Sequence, residues 1–183
     1  TDTGTRFRSR RMRPPHYSRS PGVPLSADTP AESLPILKLK HGEDRRLRAG
    51  HLWVFSNEVD TTSTPLAGFE PGGLAQVLSD RNQFVGYAYV HPATLITARI
   101  LSRSAAHPVD AALFDERLRR ALALRERLHP RPYWRWVYGE SDGLPGLVLD
   151  RFGDLVVGQV ATLGMERLKG RVEDAVRRVL SPA

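Results

Sequence analysis

The sequence predicts an α+β fold, a small β-barrel followed by a small α/β module in which two amphipathic helices pack on a short sheet. Three observations carry this expectation. Residues 34–101 break into short apolar runs separated by turn signals, the pattern of locally connected strands in a barrel or curled antiparallel sheet. After Pro108 the apolar period shifts from two to nearly 3.6. From there the order is helix, three strands, helix, which marks a second small domain with its boundary near Pro108.

Residues 1–33 are rich in Arg, Ser and Pro and show no hydrophobic period, so burial cannot offset their ordering entropy. They read as a disordered basic tail, with six arginines against Asp2, Asp28 and Glu32 and thus +3 of the chain's +7. The tail is either a source of non-specific RNA affinity or a solvated extension. Strands are expected at residues 34–39, 74–80, 83–90 and 94–101, separated by Pro71-Gly72-Gly73, Asp80-Arg81-Asn82 and His91-Pro92. Between the first two, residues 42–50 suit a short polar helix, and residues 51–55 restore apolar character. Together residues 34–108 form the expected barrel domain.

The expected α/β module occupies residues 109–183. Asp110 suits a helix cap, and Leu113, Phe114, Leu118, Ala121, Leu122 and Leu128 then recur at helical spacing, with Arg117, Arg119, Arg120, Arg125 and Arg127 mainly on the other side. Residues 134–138, 147–150 and 155–160 read as strands, the last two joined by a turn at Arg151-Phe152-Gly153-Asp154. A second helix runs from about Met165 to Leu180, where Ser181-Pro182 stops it.

The chain has 183 residues, 27 Lys and Arg against 20 Asp and Glu, and no cysteine. Its basic surplus is mostly arginine, which pairs with phosphate in bidentate fashion and stacks on bases, so nucleic acid is the first partner to consider and a merely solvated basic face the second. The absence of cysteine excludes disulfides, thiolate metal sites and a cysteine nucleophile within this chain. His16, His41, His91, His107 and His129 show no metal-ligand spacing, so no metal is expected. No apolar run approaches the roughly 20 residues that span a bilayer, and a cytoplasmic protein without a membrane partner is the expectation.

Phosphate contacts need only reach and charge, which singles out Lys38, Lys40, Arg45, Arg46 and Arg48. Trp53, beside His51, either stacks on unpaired bases or joins the core with Phe55. Arg99, between Ala98 and Ile100 on a strand, is either a groove residue or one partner of an ion pair. Glu140 and Asp142 have the spacing of a general acid and base, but in a loop holding Gly139, Gly143, Pro145 and Gly146 they suit capping of backbone N–H groups and fixing of a turn better.

Three strings go further. They are Gly42-Glu43-Asp44 through His51-Leu52-Trp53-Val54-Phe55-Ser56-Asn57, His91-Pro92-Ala93-Thr94-Leu95-Ile96-Thr97-Ala98-Arg99-Ile100-Leu101, and Gly139-Glu140-Ser141-Asp142-Gly143-Leu144-Pro145-Gly146-Leu147-Val148-Leu149-Asp150-Arg151-Phe152-Gly153-Asp154. In this order and separation they resemble the ribosomal RNA large-subunit methyltransferase I family, which makes 5-methylcytosine in large-subunit rRNA with S-adenosylmethionine. The first string departs from the family's pattern at Leu52, usually proline, and Asn57, usually glycine.

The resemblance implies a PUA-like RNA-binding domain at residues 34–108, a central module at 109–183, and a C-terminal Rossmann-like methyltransferase domain that this chain does not carry. It implies rRNA as partner, S-adenosylmethionine as cofactor of the complete enzyme, and residues 139–146 as the family's motif loop. No strand-to-helix glycine loop for an adenosyl cofactor is evident in the sequence, and the thiolate that such enzymes add to cytosine carbon-6 has no source here. The expectation is therefore an RNA-recognition part that binds no cofactor and catalyses nothing by itself. A free-standing PUA-type RNA-binding protein, with the second module a homodimer contact or a docking element, is the alternative.

Overall fold

In the computed structural model, residues 6–10 and 34–180 are described, the first of these as backbone only. The elements run β1 (Arg6–Arg10), β2 (Ile36–Lys38), α1 (Asp44–Arg48), β3 (Trp53–Phe55), β4 (Gly73–Leu78), β5 (Phe84–Val90), β6 (Ile96–Ser102), α2 (Ala111–Leu128), β7 (Tyr133–Tyr138), β8 (Leu147–Phe152), β9 (Leu155–Val160) and α3 (Leu163–Leu180). The chain divides into two compact units, which part between Leu113 and Phe114.

The first unit is a five-stranded sheet of order β2-β4-β5-β6-β3. Strand β2 runs parallel to β4 and the other pairs are antiparallel. Bulges in three of the pairings add local twist. The sheet curls until its two edges meet. Lys40 N–H donates to the Glu58 carbonyl at 2.9 Å, Asp60 N–H donates to the Lys38 carbonyl at 2.9 Å, and Leu39 bridges Val59. The residues following β2 are thereby clasped to those following β3. Inside lie Leu37, Leu39, Val54, Val77, Ala88 and Ile100, all 0–1% exposed, capped by Leu47 of α1. Gly86 is required where β5 and β6 approach, because a Cβ there would lie 2.6 Å from the Ser102 carbonyl oxygen.

The second unit is a four-stranded sheet of order β1-β9-β8-β7, antiparallel except for β1 beside β9. Its helices bury Phe114, Leu118 and Ala121 from α2, and Met165, Leu168, Val172 and Val176 from α3. Trp136 of β7 is fully buried and donates its indole N–H to the Leu118 carbonyl at 3.0 Å, which fixes α2 against the sheet. Both helices start on side-chain caps. Asp110 accepts the Leu113 N–H at 3.0 Å, and the Thr162 hydroxyl accepts the Met165 N–H at 3.3 Å.

Several elements differ from the sequence expectation. Strand β8 continues through Arg151 and Phe152, so the turn to β9 is only Gly153-Asp154. Arg117 and Arg125, expected on the solvated side of α2, reach back to the loop of residues 139–146. Arg6–Arg10 lies in the segment read as a disordered tail, yet it forms strand β1. The composition argument counts buried side chains, whereas main-chain pairing to the free edge of β9 needs none. The rest of residues 1–33 lies outside the described residues. Among the described residues no helix is long and apolar enough to cross a membrane.

Candidate nucleic-acid interface

The basic segment expected to meet phosphate is sorted by short helix α1 into three directions. Leu47 points into the barrel and anchors the helix. Arg46 turns toward β3, donating to Glu58 Oε1 at 2.6 Å and to the Trp53 carbonyl at 3.1 Å, with its guanidinium 5.0 Å from the Phe55 ring centroid. Glu58 is only 6% exposed and also accepts the Phe55 N–H at 2.7 Å. Arg46 therefore neutralises a buried carboxylate, a structural task that its neighbours do not share.

Arg48 turns the other way, to Asp44 at 2.6 Å and Gln83 at 3.4 Å. His41 meets Asp80 at 2.8 Å. That hydrogen bond is the chief cause holding the Asp80 carboxyl below its ordinary value of 3.8. These two contacts bring the segment beside the β4–β5 turn, which carries exposed Arg81, a residue the sequence reading passed over as a turn former. The signal for it was there. Asn82 at φ 59° fixes a tight turn, and such a turn projects its flanking side chain into solvent. Arg45 is exposed, with its side chain over Gly42. Lys40 is exposed and ties back to the Asn57 carbonyl at 2.8 Å, while Lys38 is half-buried on β2. One rim of the barrel thus gathers His41, Arg45, Arg48 and Arg81.

Trp53 and Arg99 belong to the β3–β6 pairing, and His51 follows α1, its N–H donating to the Arg46 carbonyl at 3.2 Å. Trp53 is 39% exposed, outside the core that Val54 enters, and its ring meets Phe55 edge-on at 6.4 Å. Arg99 stands opposite Trp53 across the β3–β6 pairing and donates to the Ile96 carbonyl at 3.4 Å. Arg103, missed in the sequence, links the two places by donating to the Leu47 and His51 carbonyls at 3.4 and 2.8 Å. It satisfies carbonyls at and just beyond the end of α1.

In the second unit, residues 139–146 form a 3-10 turn followed by a left-handed Gly143. Asp142 is its pivot. Its carboxylate accepts both terminal nitrogens of Arg125 at 2.7 Å and the Tyr138 N–H at 2.6 Å. Arg117 donates to the Gly143 carbonyl, and Gly146 at φ +75° leaves no room for a Cβ beside Thr162. Leu144 and Pro145 are buried. The loop joins two antiparallel strands and presents no helix N-terminus, so its residues do not fit an adenosyl cofactor. No group of three or more His, Asp or Glu able to hold a metal occurs among the described residues.

Residues 37–103 match the model of the PUA-like domain. Ribosomal RNA large subunit methyltransferase I of Salmonella arizonae is 32% identical over 146 residues, 78% of this chain and 36% of the relative. That of Shewanella denitrificans is 34% identical over 136 residues, 72% of this chain and 33% of the relative. The chain spans about a third of the length of the curated relatives it matches. Among solved structures, a methyltransferase complexed with SAH superposes with a TM-score of 0.67 at 16% identity, covering 80% of this chain and 37% of the other. A SAM-dependent methyltransferase from Streptococcus mutans gives 0.66 at 17%, covering 80% and 38%. The chain thus carries a PUA-like domain and is homologous, across about three quarters of its length, to the ribosomal RNA large subunit methyltransferase I family.

Proposed function

We propose that this chain holds ribosomal RNA for cytosine-5 methylation, gripping phosphates with the basic rim of its PUA-like unit and performing no chemistry itself. The observation that carries the reading is the rim, where Arg45 and Arg81 stay exposed beside Arg48 and His41 on a domain type shared with rRNA methyltransferases. Lys40 and Lys38 extend the positive surface along the β2 edge. Arg46 is left out, because its charge answers Glu58. S-adenosylmethionine and the thiolate for carbon-6 belong, in this reading, to the part of the relatives' length that this chain does not span. The large-subunit rRNA would be met in the cytoplasm.

The test is fluorescence anisotropy with an rRNA hairpin across a salt series. Each neutralised phosphate contributes about 0.7 to the logarithmic salt slope on single strands. Replacing Lys40, Arg45 and Arg81 together with alanine should lower the slope by about two and weaken binding equally for different sequences, since phosphate contacts do not read bases. A slope unchanged by the triple substitution overturns the rim as the grip.

A further inference from the structure

The second unit leaves one face of its sheet uncovered, and the residues there are unlike those of an ordinary solvated face. The helices bury the side of the sheet that holds Trp136, Leu147, Leu149 and Val156. On the other side the pairing sets Tyr133 beside Phe152, Arg135 beside Asp150, and Tyr138 beside Val148. Tyr133, Tyr138 and Phe152 are 67%, 57% and 50% exposed.

Strict alternation along β7 would put Tyr138 on the face of Trp136. The register shift between Arg135 and Val137 turns both Trp136 and Val137 inward and returns Tyr138 to the face of Tyr133 and Arg135. Arg135 is held there by Asp150, at 2.9 and 3.3 Å, with its guanidinium 5.4 Å from the Tyr138 ring centroid. Tyr133, Arg135, Tyr138, Asp150 and Phe152, with Arg125 and Trp134 at the β7 edge, line a shallow groove of about 660 Å³.

We infer that this face is a stacking platform for unpaired bases of RNA, with Tyr138, Phe152 and Tyr133 as the stacking rings and Arg135 as a planar cation between them. The inference rests on the proposed RNA-holding function and extends it to the second unit. Two features favour single-stranded RNA over an apolar protein partner. The rings alternate with an Arg–Asp pair whose burial without a matching partner would be costly, and the exposed rings with the Arg135 guanidinium offer flat faces on which successive bases stack. The carboxylate of Asp150 supplies an acceptor of the kind that reads an exocyclic amino group.

The experiment measures the affinity of the full chain for a fluorescein-labelled single-stranded oligocytidine and for a blunt RNA duplex. The Tyr138→Ala/Phe152→Ala variant should lose about tenfold or more on the single strand, with the salt slope and duplex affinity unchanged. Tyr138→Trp should bind as well as the parent. Circular dichroism melts of the variants should match the parent, as both positions are half-exposed or more. If the double alanine variant binds oligocytidine like the parent while the rim substitutions still lower the salt slope, the platform is overturned and the RNA-holding function stands. An equal loss on single strand and duplex also overturns the platform. Absence of binding to either RNA by the parent overturns both.

Discussion

The two sheets of this protein handle their faces in opposite ways. The five-stranded sheet rolls up until Lys40 and Asp60 clasp its edges, so one face becomes an interior and charged side chains gather on a rim. The four-stranded sheet stays open, takes two helices on one side, and leaves Tyr133, Tyr138 and Phe152 on the other. Closure suits a surface built from charge, because rim residues need only reach. An open sheet suits a surface built from rings, because flat partners need a flat support.

Trp136→Ala should break the contrast most severely. It empties the core of the open unit and leaves the Leu118 carbonyl without its indole donor, so a loss of about 3–5 kcal/mol in chemical denaturation is expected. Tyr133→Ala, three residues away on the uncovered face, should stay within about 0.5 kcal/mol. A comparable loss for both would mean that the outer face is as structural as the inner one.

Asp142→Ala and Glu58→Ala compare the two units directly. Each carboxylate is 8% exposed at its side chain, accepts an arginine and accepts one backbone N–H. Removing either should cost about 2 kcal/mol, read as a lowered denaturation midpoint, with RNA affinity of the folded protein unchanged. Selective loss of RNA binding in Asp142→Ala at parental stability would make the 139–146 loop an RNA contact and not a brace.

The smallest effect belongs to acid. Asp60 is held below its ordinary 3.8 chiefly by the Ser63 hydroxyl, and Asp80 by His41. Depressed carboxyl values stabilise the folded state above pH 3.8, and that contribution is lost as the pH falls through the folded values. Asp60→Asn should therefore melt slightly below the parent at neutral pH and level with it well below 3.8. A gap that persists in acid would show that geometry, not charge, holds that turn.

Much of the architecture was legible because strands β4, β5 and β9 alternate or run apolar between turn formers and because Asp110 caps α2. The site was less legible. Arg45, Arg46 and Arg48 look alike in sequence, and what separates them is Glu58, brought to Arg46 only by the fold. The face of Tyr138 depends on a bulge that breaks the period of two, and no residue type in β7 announces it. Edge closure was hidden for a related reason. Residues 58–60 belong to a stretch with no hydrophobic period, and their pairing to residues 38–40 is made by backbone atoms, which every sequence possesses.

That clasp gives the barrel a seam. The amides of Lys40 and Asp60 donate across it, at a place where neither chain continues into a long ladder. Their exchange with deuterated solvent would register the barrel opening along one line while β4 and β5 remain paired, a partial unfolding below the global one. Because Lys40 lies on this seam and reaches Asn57 across it, a phosphate drawn to its ammonium competes with the Asn57 carbonyl, and the protection of these two backbone protons would report which of the two holds Lys40.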